Sequence, residues 1–537
     1  MISEVAYTIY LKIMTLWSWW WEVNNEEEKL ARTILTISVP ALVFLWYKLM
    51  LFYTTKRSSP LPPGPYGLPL VGYLPFLGSN LHEIFTDMAQ KYGPIFSLRL
   101  GSKLCVVVNS VDLVKVVSHD LDQIFANRSS HQAALTVSYG RSNIAWSDNN
   151  KHWRDMRKLL VSQVMSNANL KASQTYRTYE VKRTVNQLFN NIGETFNINE
   201  IAFNTEVNVV TSMLWGSSKS NEDDVIGDGF REVEFKIIEL LGAPNISDFL
   251  PMLSRFDLQK RQREMKKQFE YVDAIFDNII QKRIKTNSSK TNGVVVEDGK
   301  KDFLQIMLEL KDQNANQESF NMIHIKALFM DFITAATDTT STMVEWVMGE
   351  VLNNPDVMRR VQDELTTVVG INNIVEESHL PNLTYFEAVI KETFRLHTPL
   401  PLLIQRCPSV TCKVGGYTVP KGSIVFMNVW AIHRDPNNWS DPLEFKPERF
   451  LNGKWDYNGS NLKFLPFGSG RRICPGMPLG NKMLMYIVAS LLHSFEWKLP
   501  QDDEFELREE FGLVAKKKKP LVAIPVAQRL SDATLYM

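Results

Sequence analysis

Cysteine is scarce in this chain, with four in 537 residues, at positions 105, 407, 412 and 474. Their spacing forms no disulfide framework, which excludes a small cross-linked secreted fold and fits a reducing compartment. Cys407 and Cys412 stand close enough to suggest half a metal site, but no second pair and no histidine spacing completes a zinc set, so they read as ordinary thiols. Net charge is absent as well: 59 basic and 59 acidic residues cancel, which argues against a nucleic-acid partner or a disordered charged tail. Linkers are missing too. Length alone suggests about three or four domains, yet no Gly/Ser- or Pro-rich stretch divides the chain after Pro65, and the polar run from Lys285 to Lys301 reads as one surface loop between helices. The expectation is one large core.

Long apolar runs are confined to the N-terminus. Residues 33–55 are broken only by Lys48 and are long enough to cross a bilayer if that lysine reaches the interface. An earlier run, Val5 to Trp21, reads as an interfacial helix or a poorer second span. Glu22, Glu26, Glu27 and Glu28 precede the span while Lys56 and Arg57 follow it, which places the body in the cytosol. No small-residue cleavage site follows the apolar run, so an anchor is expected rather than a signal peptide. The prolines of Pro60-Leu-Pro62-Pro63-Gly64-Pro65 would form a stiff spacer behind it. The chain thus divides into an anchor, residues 1–56, and a body, residues 57–537.

The most informative local pattern is Phe467-Gly-Ser-Gly470-Arg-Arg472-Ile-Cys474-Pro-Gly476. A cysteine thiolate on a haem iron pushes electron density towards O–O cleavage. Glycines let backbone approach a flat macrocycle, and backbone N–H groups in such a turn can bond the sulfur. Arg472, two positions before Cys474, shares its face and can meet a haem propionate, while Phe467 would pack beneath the thiolate. Pro475 suits the first turn of a helix through Leu479 to Leu492 whose dipole favours a thiolate. An isolated Cys-Pro-Gly would read as a buried structural cysteine; the ten-residue constellation reads otherwise.

This pattern resembles the haem-binding loop of the cytochrome P450 superfamily, Phe-x-x-Gly-x-Arg-x-Cys-x-Gly, at every fixed position, and the resemblance runs from about Pro60 to Val526. It implies a mostly helical fold with small β-sheets, a single haem domain behind an N-terminal membrane anchor, and haem b ligated axially by Cys474. Strands are expected over Ile95 to Leu100, Cys105 to Asn109, Lys413 to Val419 and Ser423 to Asn428. Ala335-Ala336-Thr337-Asp338-Thr339-Thr340 interrupts an apolar helix-period segment, and such a cluster tends to bend a helix. By resemblance Asp338 and Thr339 deliver protons during oxygen activation. The bland alternative is that Thr342-x-x-Glu345 is a capping box that starts a helix at Met343. Ala336 departs from the family's glycine and could narrow the groove.

Glu392 and Arg395 share a helical face, and Arg449 is the third member of a structural network by resemblance. Trp153 and Arg157, at i,i+4, and Arg406 match propionate contacts, although Thr398 and Gln405 stand where the family usually has proline. Lys151, Arg154 and Lys158 leave a basic face that suits an acidic reductase. Lys516 to Lys519 reads as a charged hairpin tip between strand-like Phe511 to Ala515 and Pro520 to Val526.

Within the superfamily several stretches resemble the plant family of the delta-cadinene hydroxylase and valencene oxidase. They are Ser212-Met-Leu-Trp215-Gly216, Phe249-Leu-Pro251 through Arg255-Phe-Asp257, Glu376-Glu377-Ser-His379-Leu-Pro381 and Gly415-Gly416-Tyr417. The implied protein is an endoplasmic-reticulum monooxygenase oxidising a small apolar plant metabolite, a sesquiterpene or other terpenoid first, a flavonoid or alkaloid next. Dioxygen and NADPH-derived electrons would come in, the latter through NADPH-cytochrome P450 reductase. Membrane lipid is a further partner. Substrate would face Ser130 to Ile144, Leu240 to Phe249, Phe332 to Ala336, Pro399 to Leu403 and Phe511 to Val514. The rivals are a haem-thiolate isomerase or aldoxime dehydratase, and a non-catalytic membrane haem sensor or carrier.

Overall fold

The apolar segment that contains the Thr-Asp-Thr cluster forms one helix, Met322–Asn353, 32 residues long. In the computed structural model, which describes residues 26–55, 60–216, 228–290, 302–313, 320–501 and 505–530, it runs through the core of the body. It starts at Asn321, whose side chain accepts from the N–H groups of Ile323 and His324 while His324 answers with its imidazole, a reciprocal cap. The alternative helix start at Met343 is therefore not used, and the helix-period segment expected around Met322 to Val351 is one helix. Thr342 is buried mid-helix, and Glu345 reaches away to the Leu521 N–H (2.7 Å) and Asn199 (3.1 Å). The helix is continuous through the cluster. Thr334, Thr337 and Thr339 each return a hydrogen bond to the carbonyl four residues back, so the hydroxyls supplement the ladder instead of competing with it.

Apolar faces of other helices close around this one. Ile198–Trp215 packs along it, as do Met477–Ser494 and Thr384–Leu396, and the Leu, Ile, Val, Phe and Met side chains between them form a continuous buried cluster. The sheets lie at the edge of this helical mass. A five-stranded sheet has the order Ile95–Leu100, Lys103–Val108, Ile424–Met427, Arg406–Cys407, Asn127–Arg128, and only the Lys103–Val108 to Ile424–Met427 pair is parallel. Cys412–Val414 and Tyr417–Val419 form a hairpin turned by Gly415 and Gly416, both at positive φ. The helical majority and the small sheets agree with the expectation.

Two expectations need correction. The polar run from Lys285 begins as helix, since Arg261–Lys290 continues to its end; residues 291–301 lie outside the described set. Lys516–Lys517 is a strand paired to Glu509–Glu510; Lys517 is buried, Lys516 half-buried, and Lys518 and Lys519 are exposed. At the N-terminus a helix, Glu26–Thr55, covers the expected span, with Pro40 inside it. Among the described residues no helix is long and apolar enough to cross a membrane. The side chains of residues 46–55 and the early run Val5 to Trp21 lie outside the described set.

Candidate active site

Cys474 sits two residues before Gly476, the N-cap of helix Met477–Ser494. Pro478, rather than the expected Pro475, occupies the first turn. The Cys474 N–H donates to the Phe467 carbonyl at 3.0 Å and closes the loop. Gly470, at φ +69, is a glycine by necessity: a Cβ would lie 2.1 Å from the Ser118 carbonyl oxygen. Gly476 is less constrained, since a Cβ there would meet the Cys474 sulfur at an ordinary 3.8 Å. Burial raises the Cys474 thiol above its usual range, against which the Gly476 N–H, the Arg157 guanidinium and the Met477 N–H all favour the thiolate. Those N–H groups are the sulfur partners the sequence suggested. Phe467 packs its ring against Phe394 and Tyr457 at centroid distances of 5.2 and 5.5 Å.

Around this loop four guanidiniums converge. Arg406, on the short strand, donates to Asp122 (3.0 Å) and to the Ser469 carbonyl (2.7 Å). Arg157 donates to the Ile473 carbonyl at 2.5 Å. Arg472 lies over the Trp153 ring at 4.1 Å and donates to the carbonyls of Ala126, Ile144 and Ser147. The fourth, Arg128, escaped the sequence reading; it donates to the carbonyls of Ala145 and Ile404 and pairs its strand with Arg406. Burial lowers all four, Arg472 to about 9, and the cations press one another further down: Arg128 feels Arg472, Arg406 and Arg157. Among the described residues Asp122 is the only carboxylate ion-paired to any of them. Buried cations in excess of their counter-ions fit an anionic group that bridges them, such as a pair of propionates. Trp153 departs from expectation, because its indole N–H is committed to the Ile144 carbonyl at 3.1 Å rather than to an acid group.

The central helix presents the other half of the site. Ala335 is exposed and Ala336 and Thr339 half-buried although the flanking turns are largely buried, so this stretch is the accessible part of a core helix. Thr339 Oγ1 bonds the Ala335 carbonyl at 2.6 Å. Asp338 is fully buried, and Lys516 approaches its Oδ1 to 2.5 Å. Burial raises the Asp338 carboxyl above its usual range and Lys516 opposes that shift. A second acid, Asp331, fastens the segment over the site to the helix: its Oδ2 accepts the Ile144 N–H and its Oδ1 the Asn143 amide, both at 2.6 Å. The Ile144 carbonyl in turn takes both Trp153 and Arg472, so one residue joins the central helix to the cysteine loop.

Segments expected to face substrate meet around the same helix. The Gln132 N–H donates to Asp248 at 2.7 Å, and the Ala515 N–H to the Pro399 carbonyl at 2.8 Å. Beneath the loop, Glu392 accepts from Arg395 at 2.7 and 2.8 Å, from Arg449 at 3.2 Å and from the Lys446 N–H at 2.8 Å, as the network required. Thr398, where proline was expected, bonds His433, whose other ring nitrogen accepts the Leu465 N–H, so the departure from pattern ties this helix end to the strand of chain leading into the loop.

A family model described as Cytochrome P450 matches residues 62–524. The chain is 35% identical over 498 residues to a ferruginol synthase of Salvia miltiorrhiza, covering 91% of this chain and 99% of that protein. It is also 35% identical to a geraniol 8-hydroxylase of Catharanthus roseus, with the same coverage. A solved zebra fish cytochrome P450 with progesterone superposes with a TM-score of 0.71 over 83% of this chain and 100% of that one, at 24% identity.

Proposed function

The chain belongs to the cytochrome P450 family, so it is a monooxygenase whose haem iron is held by a cysteine thiolate; from this premise we propose that it hydroxylates a small terpenoid, with Cys474 as the ligand. The reading rests on one observation above the rest: a four-arginine cluster short of counter-ions surrounds the loop whose N–H groups point at the Cys474 sulfur. Bound haem supplies the activation of dioxygen. This chain's own residues do the rest. Arg128, Arg157, Arg406 and Arg472 hold the propionates, and Trp153 supports Arg472 from below. Phe467 fixes the loop through its carbonyl. Thr339 and Asp338 would move protons from the central helix, the accessible hydroxyl as donor and the buried acid reloading it.

Ferruginol synthase and geraniol 8-hydroxylase among the relatives support a terpenoid over a flavonoid or alkaloid. Electrons come from NADPH through its cytochrome P450 reductase, docked on the exposed Lys151, Arg154 and Lys158. Exposed Leu30, Ile34, Leu35, Ile37, Leu42 and Leu45 on helix Glu26–Thr55 favour attachment to the endoplasmic-reticulum membrane with the body in the cytosol. The test is co-expression with a plant reductase and feeding of geraniol, sesquiterpene, flavone and aldoxime panels. NADPH-dependent hydroxylated terpenoid is expected; product formed equally without NADPH would replace the monooxygenase reading with a dehydratase or isomerase. Thr339→Ala is expected to divert NADPH into peroxide, and unchanged coupling would remove Thr339 from proton delivery. Cys474→Ala should abolish the thiolate-type carbon monoxide spectrum.

A further inference from the structure

The C-terminal hairpin, strand Glu509–Glu510 paired to strand Lys516–Lys517, meets the central helix at three places. Lys516 reaches Asp338, and the Trp346 indole donates to the Ala515 carbonyl at 3.2 Å. The third contact runs through His397, whose Nδ1 is 3.1 Å from Glu509 Oε1 and whose Nε2 is 2.7 Å from Glu350 Oε1. Asp338, Trp346 and Glu350 are eight and four residues apart (346 − 338 and 350 − 346), so they lie on one i±4 ridge of the helix. His397 caps helix Thr384–Leu396 and lies flat on Trp346, with ring centroids 3.9 Å apart and planes at 3°. The side chains of His397, Glu350 and Glu509 are 8, 5 and 8% exposed, so water cannot replace any of these contacts.

Donor counting places the protons. A neutral imidazole has one N–H, yet here both ring nitrogens face carboxyl oxygens. Glu509 is a carboxylate: its Oε1 also takes Arg434 at 3.3 Å and its Oε2 the Trp430 indole at 3.0 Å, and neither donor can accept. One proton lies between Nε2 and Glu350, and imidazole is the stronger base of the two. Burial works against the charged ring, but the bonds and charges of Glu350 and Glu509 outweigh it and raise His397 above its ordinary value. With Arg434, the His397 imidazolium balances the two carboxylates. Two further cationic side chains border the group: His82 is 3.3 Å from Glu509 Oε2, and Lys517 is 5.3 Å from the Trp346 ring.

We propose that His397 is a positioning residue for substrate: gripped between Glu350 and Glu509, it holds the C-terminal hairpin against the central helix and so sets where Phe511 to Val514 stand beside Ala335, Ala336 and Thr339, the accessible part of that helix. Glu509 anchors the strand that enters this segment, as Lys516 anchors the strand that leaves it. The segment itself packs closely on its surroundings. The Phe511 ring is 5.4 Å from that of His82, and at Gly242 a Cβ would lie 2.4 Å from the Leu513 nitrogen. A shift of Glu509 therefore moves the segment.

The inference rests on the monooxygenase reading for its pocket but not on the terpenoid one, and its test needs no substrate. In the full-length ferric haem protein, His397→Gln should speed amide hydrogen exchange across residues 509–517 by about tenfold or more, equivalent to ~1.4 kcal/mol of local stability. Exchange in helix Met477–Ser494 should stay as it is. The same variant should bind clotrimazole severalfold more weakly, because this bulky imidazole ligates the haem iron and presses on the pocket walls. Bare imidazole reaches the iron without touching those walls, so its affinity should not change; a general loss of structure would weaken both. Glu350→Gln should be milder, since a neutral imidazole can then donate to Glu509 and accept from the new amide. The double variant H397Q/E350Q should regain much of the hairpin's protection, because the second substitution removes the carboxylate that the first left without a cation, while Glu509 keeps Arg434. Wild-type exchange across 509–517 in H397Q, an equal loss of both ligands, or a double variant no better than H397Q overturns the proposal. Absence of any terpenoid product in the wild type overturns only the terpenoid reading.

Discussion

Glu392→Gln tests whether the network under the cysteine loop stabilises the fold as its geometry implies. The carboxylate accepts four hydrogen bonds, two from Arg395, one from Arg449 and one from the Lys446 N–H. Glutamine keeps the volume but replaces one oxygen with an N–H₂ that faces donors. Both Glu392 and Arg395 have side chains 0% exposed, so solvent does not screen the loss. Arg395 cannot leave either, because three further carbonyls, of His433, Pro442 and Glu444, hold its guanidinium in place. Removing one partner of a buried pair costs about 3–5 kcal/mol. Arg449, at 8% exposed and bonded to Ser440 and Asp441, can lean outward and relieve part of the strain, which keeps the figure within that range. The folded-to-unfolded ratio should therefore fall by roughly two to four powers of ten. The measurement is urea unfolding followed by tryptophan fluorescence and by haem absorbance together. Glu387→Gln on the same helix is the comparison, since its Lys391 pair at 3.0 Å is 41% exposed on the acid side and is worth about 0–1 kcal/mol. A Glu392→Gln protein within 1 kcal/mol of wild type would refute the reasoning.

Gly470→Ala forces a side chain onto φ +69 with its Cβ 2.1 Å from a backbone oxygen; a left-handed alanine alone costs about 1–2 kcal/mol, and the clash should also lower the carbon monoxide signal per mole of protein. Asp331 holds its proton up to about 7 because burial outweighs the N–H groups of Ile144 and Ala145 and the Asn143 amide. The folded carboxyl is thus raised above its unfolded value, and its stabilisation is full below pH ~4 and lost as pH rises to about 7, a cost of up to about 4 kcal/mol. Asp331→Asn should remove that slope from the difference between variant and wild-type unfolding curves. Arg128→Gln should speed haem transfer to apomyoglobin by about tenfold or more, equivalent to ~1.4 kcal/mol; an unchanged rate would take Arg128 out of the propionate cluster.

What the sequence disclosed was local. The cysteine loop spans ten residues and Glu392-Arg395 one helical turn, so spacing alone put their chemistry together. Arg449 and Arg406 came only through family resemblance, since each lies on a different element from its partner. Lys516 was legible only as part of a lysine run: it lies 178 residues from Asp338 by number (516 − 338), and such a run gives the same signal inside a strand as at a tip. Arg128 was hidden because a single arginine after an apolar pair has no period. The Thr342-x-x-Glu345 pattern, the bland alternative to the groove, lies mid-helix for a physical reason. Capping residues are recognised by type and spacing, yet the same hydroxyl can bond its own helix, as Thr337 and Thr339 do.

Ile144 has one backbone N–H and one carbonyl, and the fold spends both: the first on Asp331, the second on Trp153 and Arg472. Any substrate bulky enough to lift this stretch from the central helix must pull on the grip of Arg472 in the same movement. If Arg472 holds the prosthetic group as proposed, admission of a large molecule and firm retention of that group would be opposed demands on a single residue, and the size of guest would be set by how far Ile144 can travel before its arginine lets go.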